Sequence, residues 1–166
     1  MKCLCFSDSH GYTYYMRQAL LRHPDAEVVF FLGDGTSDAE SFFLSDRTRQ
    51  WICVRGNCDF RSYVGEREIE KLERITLMGK KIVLTHGDLY GAKYGSDGLL
   101  LLAEKERADI VLFGHTHAPF EKYFNTERGG VYLFNPGSIS AGPTVPSYGV
   151  ITLTDGGVLF SHGYMA

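Results

Sequence analysis

One pattern constrains this chain more than any other. Six times a short run, apolar at nearly every residue, stops abruptly in a polar and usually glycine-bearing cluster. The runs are KCLCF before SDSHG, VVFFL before GDG, WICV before RGNCD, KIVLT before HGD, DIVLF before GHTH and VYLF before NPGS. Unbroken apolar stretches of this length suit strands buried on both faces rather than strands with one wet side.

Helices fit between several of these strands. Thr13 to Arg22 reads as one, with Pro24 just past its end. Ser37-x-x-Glu40 resembles a capping box opening a second helix through Phe42 to Leu44. Residues 97–107 read as a third, with an apolar start and a charged end. Between Leu72 and Thr85, Gly79-Lys80 separates two apolar runs and predicts a tight hairpin. From Tyr132 to His162 the chain reads mainly as strands, with a turn at Asp155-Gly156-Gly157, and Gly142 to Ser147 reads as a surface loop. Alternating strands and helices followed by a strand-rich third predict a layered α/β domain with a mixed sheet, or two sheets packed together. The 166 residues, without repeat or linker, fit one domain spanning 1–166.

Composition removes several function classes. Seventeen basic and twenty acidic residues leave a net charge of −3, which gives no electrostatic reason to expect a nucleic-acid duplex or an anionic membrane as partner. The apolar runs Val28 to Leu32 and Leu99 to Ala103 fall far short of the ~20 residues that span a bilayer. The N-terminus turns polar at Ser7, too early for a signal-peptide core. Four cysteines, two of them two residues apart on one strand, do not form a disulfide framework. Reduced thiols and a cytoplasmic location are expected.

The chemistry lies where the strands end, as ligand sites do in open α/β sheets. Asp8 and His10 follow the first run, Asp34 the second, Asn57 the third, His86 the fourth, and His115 with His117 the fifth. Four of the six histidines occupy these positions, and only His23 and His162 lie elsewhere. Two carboxylates, four imidazoles and one amide oxygen are mixed N/O donors, which suit Mn, Ni, Fe, Co or Zn and disfavour a thiolate zinc or a calcium cage. Seven ligands are too many for one ion but suit two divalent ions sharing a carboxylate. With a bridging hydroxide, such a centre carries a charge of roughly +1, matched to a phosphodiester monoanion.

In this order, SDSHG, GDG, GNCD, HGD and GHTH resemble the signature of the calcineurin-like metallophosphoesterases, and GNCD in so short a chain resembles their small prokaryotic phosphodiesterase branch. The resemblance runs from Asp8 through Ser138 and implies a four-layer αββα sandwich, helices outside two packed mixed sheets. It implies that Asp8, His10 and His117 hold a first metal, that Asn57, His86 and His115 hold a second, and that Asp34 bridges them. Manganese is the first expectation for both ions. The activity implied is hydrolysis of a small phosphodiester by a metal-bridging hydroxide, in a small homo-oligomer.

One departure stands out. Most of the superfamily has a histidine after the Asn, where it protonates the leaving group or binds substrate oxygen; this chain has Cys58. A thiol is a poorer general acid at neutral pH than an imidazolium. Asn57, Cys58, Asp59 and His86 are the candidate catalytic residues, with Asp59 orienting Cys58 or the backbone of its loop. Arg55 and Cys58 are candidates for substrate contact, a surface ion pair being the rival role for Arg55. Tyr12, Tyr14, Tyr15 and Tyr90 follow ligand-bearing loops and are candidates for stacking on substrate or for packing. Asn135 to Ser138 are expected to hydrogen-bond behind the ligands, and Cys3, Cys5 and Cys53 to act as small core residues. Cys58 also admits a second class of function, a catalytically silent scaffold of the kind found in the retromer subunit of this fold. A metallo-β-lactamase pattern is excluded, because His-x-His continues into Ala118-Pro119.

Overall fold

A computed structural model describes residues 1–60 and 63–165. All six apolar runs form strands: β1 (Lys2–Phe6), β2 (Val28–Phe31), β3 (Gln50–Cys53), β7 (Lys80–Thr85), β8 (Ile110–Leu112) and β10 (Gly129–Pro136). A short ribbon, β4 (Tyr63–Val64) with β5 (Arg67–Glu68), and the strands β6 (Leu72–Leu77), β9 (Pro119–Thr126), β11 (Ser147–Thr154) and β12 (Gly157–Tyr164) complete the set. Helices α1 (Tyr14–Arg22), α2 (Thr36–Ser45) and α3 (Asp97–Glu106) match the three predicted segments.

The strands form two mixed five-stranded sheets, ordered β12-β11-β1-β2-β3 and β6-β7-β8-β10-β9. β1, β2 and β3 run parallel, as do β7, β8 and β10, with antiparallel strands at the flanks. The two-residue period of a strand explains why apolar runs were needed. Cys3, Cys5, Val28, Phe30 and Ile52 point between the sheets, where they meet Ile82, Leu84, Ile110, Leu112 and Phe134. Their neighbours Leu4, Phe6, Val29, Phe31 and Trp51 point the other way, against Met16, Ala19 and Leu20 of α1 and Ala39 and Phe42 of α2. On the far side Val83, Val111 and Leu133 pack against Leu99, Leu102 and Ala103 of α3. The four-layer αββα sandwich follows directly from that alternation.

Two local readings need correction, and one strand had no reading. Ser37 and Glu40 do not form a capping box: α2 already begins at Thr36, its N-cap is Gly35, and no side chain of its own caps it. Its first N–H groups are bound instead by Asp59, from outside the helix. The hairpin turn is Met78-Gly79, one residue earlier than predicted, with both residues at positive φ (48° and 73°) and Leu77 facing Lys80. β9 carries no apolar run, since it is an edge strand whose exposed positions hold Glu121, Lys122 and Tyr123.

Candidate metal centre

Every candidate ligand lies on a loop leaving the carboxyl end of a parallel strand. Asp8 and His10 follow β1, Asp34 follows β2, Asn57 and Cys58 follow β3, His86 follows β7, and His115 and His117 follow β8. Both sheets therefore feed one place. The first two loops are joined through backbone, Asp8 N–H to Gly33 C=O at 3.0 Å and His10 N–H to Asp34 C=O at 3.2 Å.

The backbone here is held in an uncommon region. Among the described residues, seven other than glycine have positive φ, and five of them are Asp8, His10, Asp34, His115 and His117. Such positions cost free energy in side-chain-bearing residues and persist where the surroundings over-determine them, which favours a functional reason. Close approach adds to this. A Cβ on Gly56 would collide with the Asp34 carboxylate, and one on Gly33 with the Gly56 backbone.

The side chains converge in three groups, the third of which links the other two through His10 and Asp34. Asp8, His10 and His117 have ligand atoms within 4.8 Å of one another, as have Asp34, His86 and His115; Asp34 also shares such a group with His10 and Cys58. His10 Nε2 lies 3.2 Å from His117 Nε2, and His115 Nδ1 3.2 Å from His86 Nε2. Asp34 Oδ2 is 3.3 Å from His86 Nε2. Asn57 is exposed on the β3 loop, its amide nitrogen 3.2 Å from the Cys58 sulfur.

Four contacts orient these ligands. His86 Nδ1 meets the Leu32 carbonyl at 2.7 Å, which places the proton there and leaves the Nε2 lone pair facing the cluster. Ser7 Oγ and the His115 N–H both donate to Asp8 Oδ2, at 2.5 and 3.1 Å. The Cys58 N–H donates to Asp34 Oδ1 at 2.8 Å. Burial alone would raise the Asp34 carboxyl, but His86 and the Cys58 N–H overturn this and hold it well below the usual carboxylate range.

Asp8 Oδ1 is the telling atom. It is buried and accepts no hydrogen bond among the described residues. The Nε2 atoms of His117, His10 and His86 surround it at 3.2, 3.8 and 3.9 Å. A buried carboxylate oxygen without a donor is costly. A cation held by that oxygen and the neighbouring imidazole nitrogens removes this cost, so the residues fit a divalent metal.

The remaining predicted residues are placed as follows. The Asp59 carboxylate accepts the N–H groups of Asp34, Gly35, Thr36 and Gly56 at 2.8–2.9 Å. Of its two expected roles, the hold on its own loop's backbone is met at Gly56, while the clasp on the loop of Asp34 was missed. Arg55 is half-buried, its Nε has no partner and its backbone N–H meets Glu70 C=O; no hydrogen bond or ion pair joins its side chain to the cluster among the described residues. Tyr15 and Tyr90 pack against the core, whereas Tyr12 and Tyr14 are exposed. Asn135 donates to Gly114 C=O and Thr116 Oγ1, and Ser138 Oγ to Asp8 C=O, so the β10 end supports both ligand loops. Missed altogether was Asp38, whose carboxylate accepts from Ser9 Oγ and Gly11 N–H on either side of His10. Its only sequence signal is its place in the first turn of a helix following Asp34. Cys3, Cys5 and Cys53 are buried, and burial pushes the Cys53 thiol up to about 12.

Known proteins agree with this architecture. The family model for the calcineurin-like phosphoesterase superfamily domain matches residues 1–156. The probable metallophosphoesterase YsnB of Bacillus subtilis is 34% identical over 156 residues, covering 92% of this chain and 85% of its own. Phosphodiesterase YfcE of Escherichia coli is 29% identical over 120 residues, covering 65% of this chain and 55% of its own. Among solved structures, Vps29 of Entamoeba histolytica complexed with zinc superposes with a TM-score of 0.73 at 20% identity, covering 99% of both chains. The last likeness concerns the fold alone. With the matched model spanning nearly the whole sequence, this chain belongs to the calcineurin-like phosphoesterase superfamily.

Proposed function

We propose that this chain is a single-domain, metal-dependent phosphodiesterase, acting on small phosphodiesters with two divalent ions. The observation that carries the proposal is the donorless, buried Asp8 Oδ1 within a ring of imidazoles, with Asp34 common to two ligand groups. Asp8, His10 and His117 would hold one ion, Asn57, His86 and His115 the other, and Asp34 both. When bound, such ions supply Lewis acidity towards phosphoryl oxygens and a nucleophile derived from water at neutral pH.

The chain's own residues set the geometry for this. Leu32 C=O fixes the tautomer of His86, Ser7 and the His115 N–H hold Asp8 so that Oδ1 faces the imidazoles, and the Cys58 N–H holds Asp34. Exposed Cys58 is the group best placed to act as a proton donor, and a weak one. Manganese is the first choice of ion, and Ni, Fe, Co or Zn suit the same donors. A small homo-oligomer in the cytoplasm, without duplex or membrane partner, completes the proposal. No helix among the described residues is long and apolar enough to cross a membrane.

A scaffold role is the second reading, favoured by Cys58 standing where the wider superfamily is expected to have histidine and by the fold shared with Vps29. Metal analysis, followed by a diester screen on protein reconstituted separately with Mn, Ni, Fe and Zn, separates the two. The enzyme predicts two ions per chain and hydrolysis of bis(p-nitrophenyl) phosphate. Bound metal without hydrolysis of any diester would leave the scaffold.

A further inference from the structure

Beside the imidazole cluster lies a cavity of about 580 Å³ that none of the candidate ligands uses. Phe113, buried, lines it and packs edge-on against Phe120 at 5.9 Å. Ala92, Ala118 and Pro119 continue the apolar wall. Thr116, which lies in the chain between His115 and His117, lines the same cavity, so the cavity abuts the loop carrying both imidazoles. That wall is preformed, because Thr116 Oγ1 accepts the Asn135 amide at 3.0 Å and donates to Ala118 C=O at 3.4 Å.

One cation stands at this cavity. Lys93 lines it, is exposed and forms no ion pair among the described residues, while nearby Asp88 pairs with Lys71 at 3.5 Å. Lys93 and Thr116 line the same cavity, so the ammonium stands beside the loop that carries His115 and His117. An apolar cavity with a cation beside a candidate metal centre matches an anion that carries an apolar substituent. A protein or nucleic-acid partner would need a wider surface of the same character.

We propose that this cavity is the ester-group subsite of the enzyme, taking one apolar, aryl-sized group of a phosphodiester monoanion while Lys93 faces the phosphoryl charge. This rests on the phosphodiesterase reading above and adds a substrate class to it: diesters with at least one bulky apolar alcohol, in preference to dimethyl-like diesters. Lys93 contributes charge to every such anion, and the Phe113–Phe120 wall discriminates among them.

Binding of phosphinates tests the subsite without any reaction, since their phosphorus carries two P–C bonds and no ester. On metal-loaded protein, methyl(2-naphthylmethyl)phosphinate is expected to bind at least tenfold tighter than dimethylphosphinate, by calorimetry and by naphthyl fluorescence. Ala118→Trp, an exposed position at the cavity, should abolish that preference while leaving metal content and dimethylphosphinate affinity unchanged. Phe120→Ala should reduce the preference severalfold, and Lys93→Ala should weaken both phosphinates alike. Equal affinities in the wild type, or a preference that survives Ala118→Trp, would overturn the subsite. The parent reading is separable: diester hydrolysis without the binding preference sinks only the subsite, and the preference without hydrolysis sinks only the enzyme.

Discussion

Asp59 Oδ2 accepts the backbone N–H of Asp34 at 2.8 Å, so the loop after β3 fixes the loop after β2. The same carboxylate binds Gly35, Thr36 and Gly56, satisfying the open end of α2 and its own loop together. An acceptor shared by four N–H groups cannot be replaced by water in a part-buried site without leaving donors unsatisfied. Asp59→Ala should therefore cost about 3 kcal/mol and Asp59→Asn, with one acceptor oxygen, about half of that. Urea unfolding in the presence of chelator measures this apart from metal binding. A loss well under ~1 kcal/mol for Asp59→Ala would show that the clasp is dispensable.

That clasp also marks where sequence reading stopped. The six buried strands and the ligands at their ends were legible because apolar periodicity and strand-end chemistry are local. The cap of α2 was not, because Ser37 and Glu40 offered a plausible local pair while the true acceptor is Asp59, brought in by tertiary structure. Glu40 instead accepts the N–H of Gly65. Likewise nothing in the letters shows that Asp8, His10, Asp34, His115 and His117 take positive φ. β9 was invisible for a different reason: an edge strand buries too little to need an apolar run.

The shared carboxylate should matter most for metal. Asp34 enters two of the three ligand groups, whereas His117 enters one. Asp34→Ala should empty both positions, and His117→Ala should weaken mainly one. Metal analysis after gel filtration gives the count per chain. Two ions and full hydrolysis in Asp34→Ala would mean that Asp34 does not bridge them.

Acid should displace the metal, and the direction follows from the apo site. Burial pulls the His86 imidazole down, yet Asp34 and Asp8 outweigh it and hold it above its ordinary 6.5. Asp8 raises His117 in the same sense. An imidazole must be neutral to bind metal, so a raised value lets protons compete already above pH 6.5, and more strongly as pH falls. Diester hydrolysis should fall off below neutrality, with excess metal shifting the decline to lower pH. An acid limb indifferent to added metal would contradict the metal centre.

The last prediction turns on Cys58. In the metal-free chain the Asp34 carboxylate first, then burial and the charges of Asp34, Asp59 and Asp8, hold its thiol above its ordinary 9.0. At neutral pH the group is protonated but reluctant to give the proton up. Diesters with good leaving groups need little protonation and should turn over best. Monoesters carry nearly a full extra charge, and their leaving oxygen receives little help from the thiol. Cys58→His should raise hydrolysis of monoesters and of poorer leaving groups, by up to the ~10²–10⁴ that positioned acid catalysis contributes. Cys58→Ala should leave hydrolysis of activated diesters largely intact, since their leaving groups depart as anions. If Cys58→Ala abolished that hydrolysis while both metals stayed bound, the thiol would have to act directly on the substrate, and the weak-acid account of this site would fail.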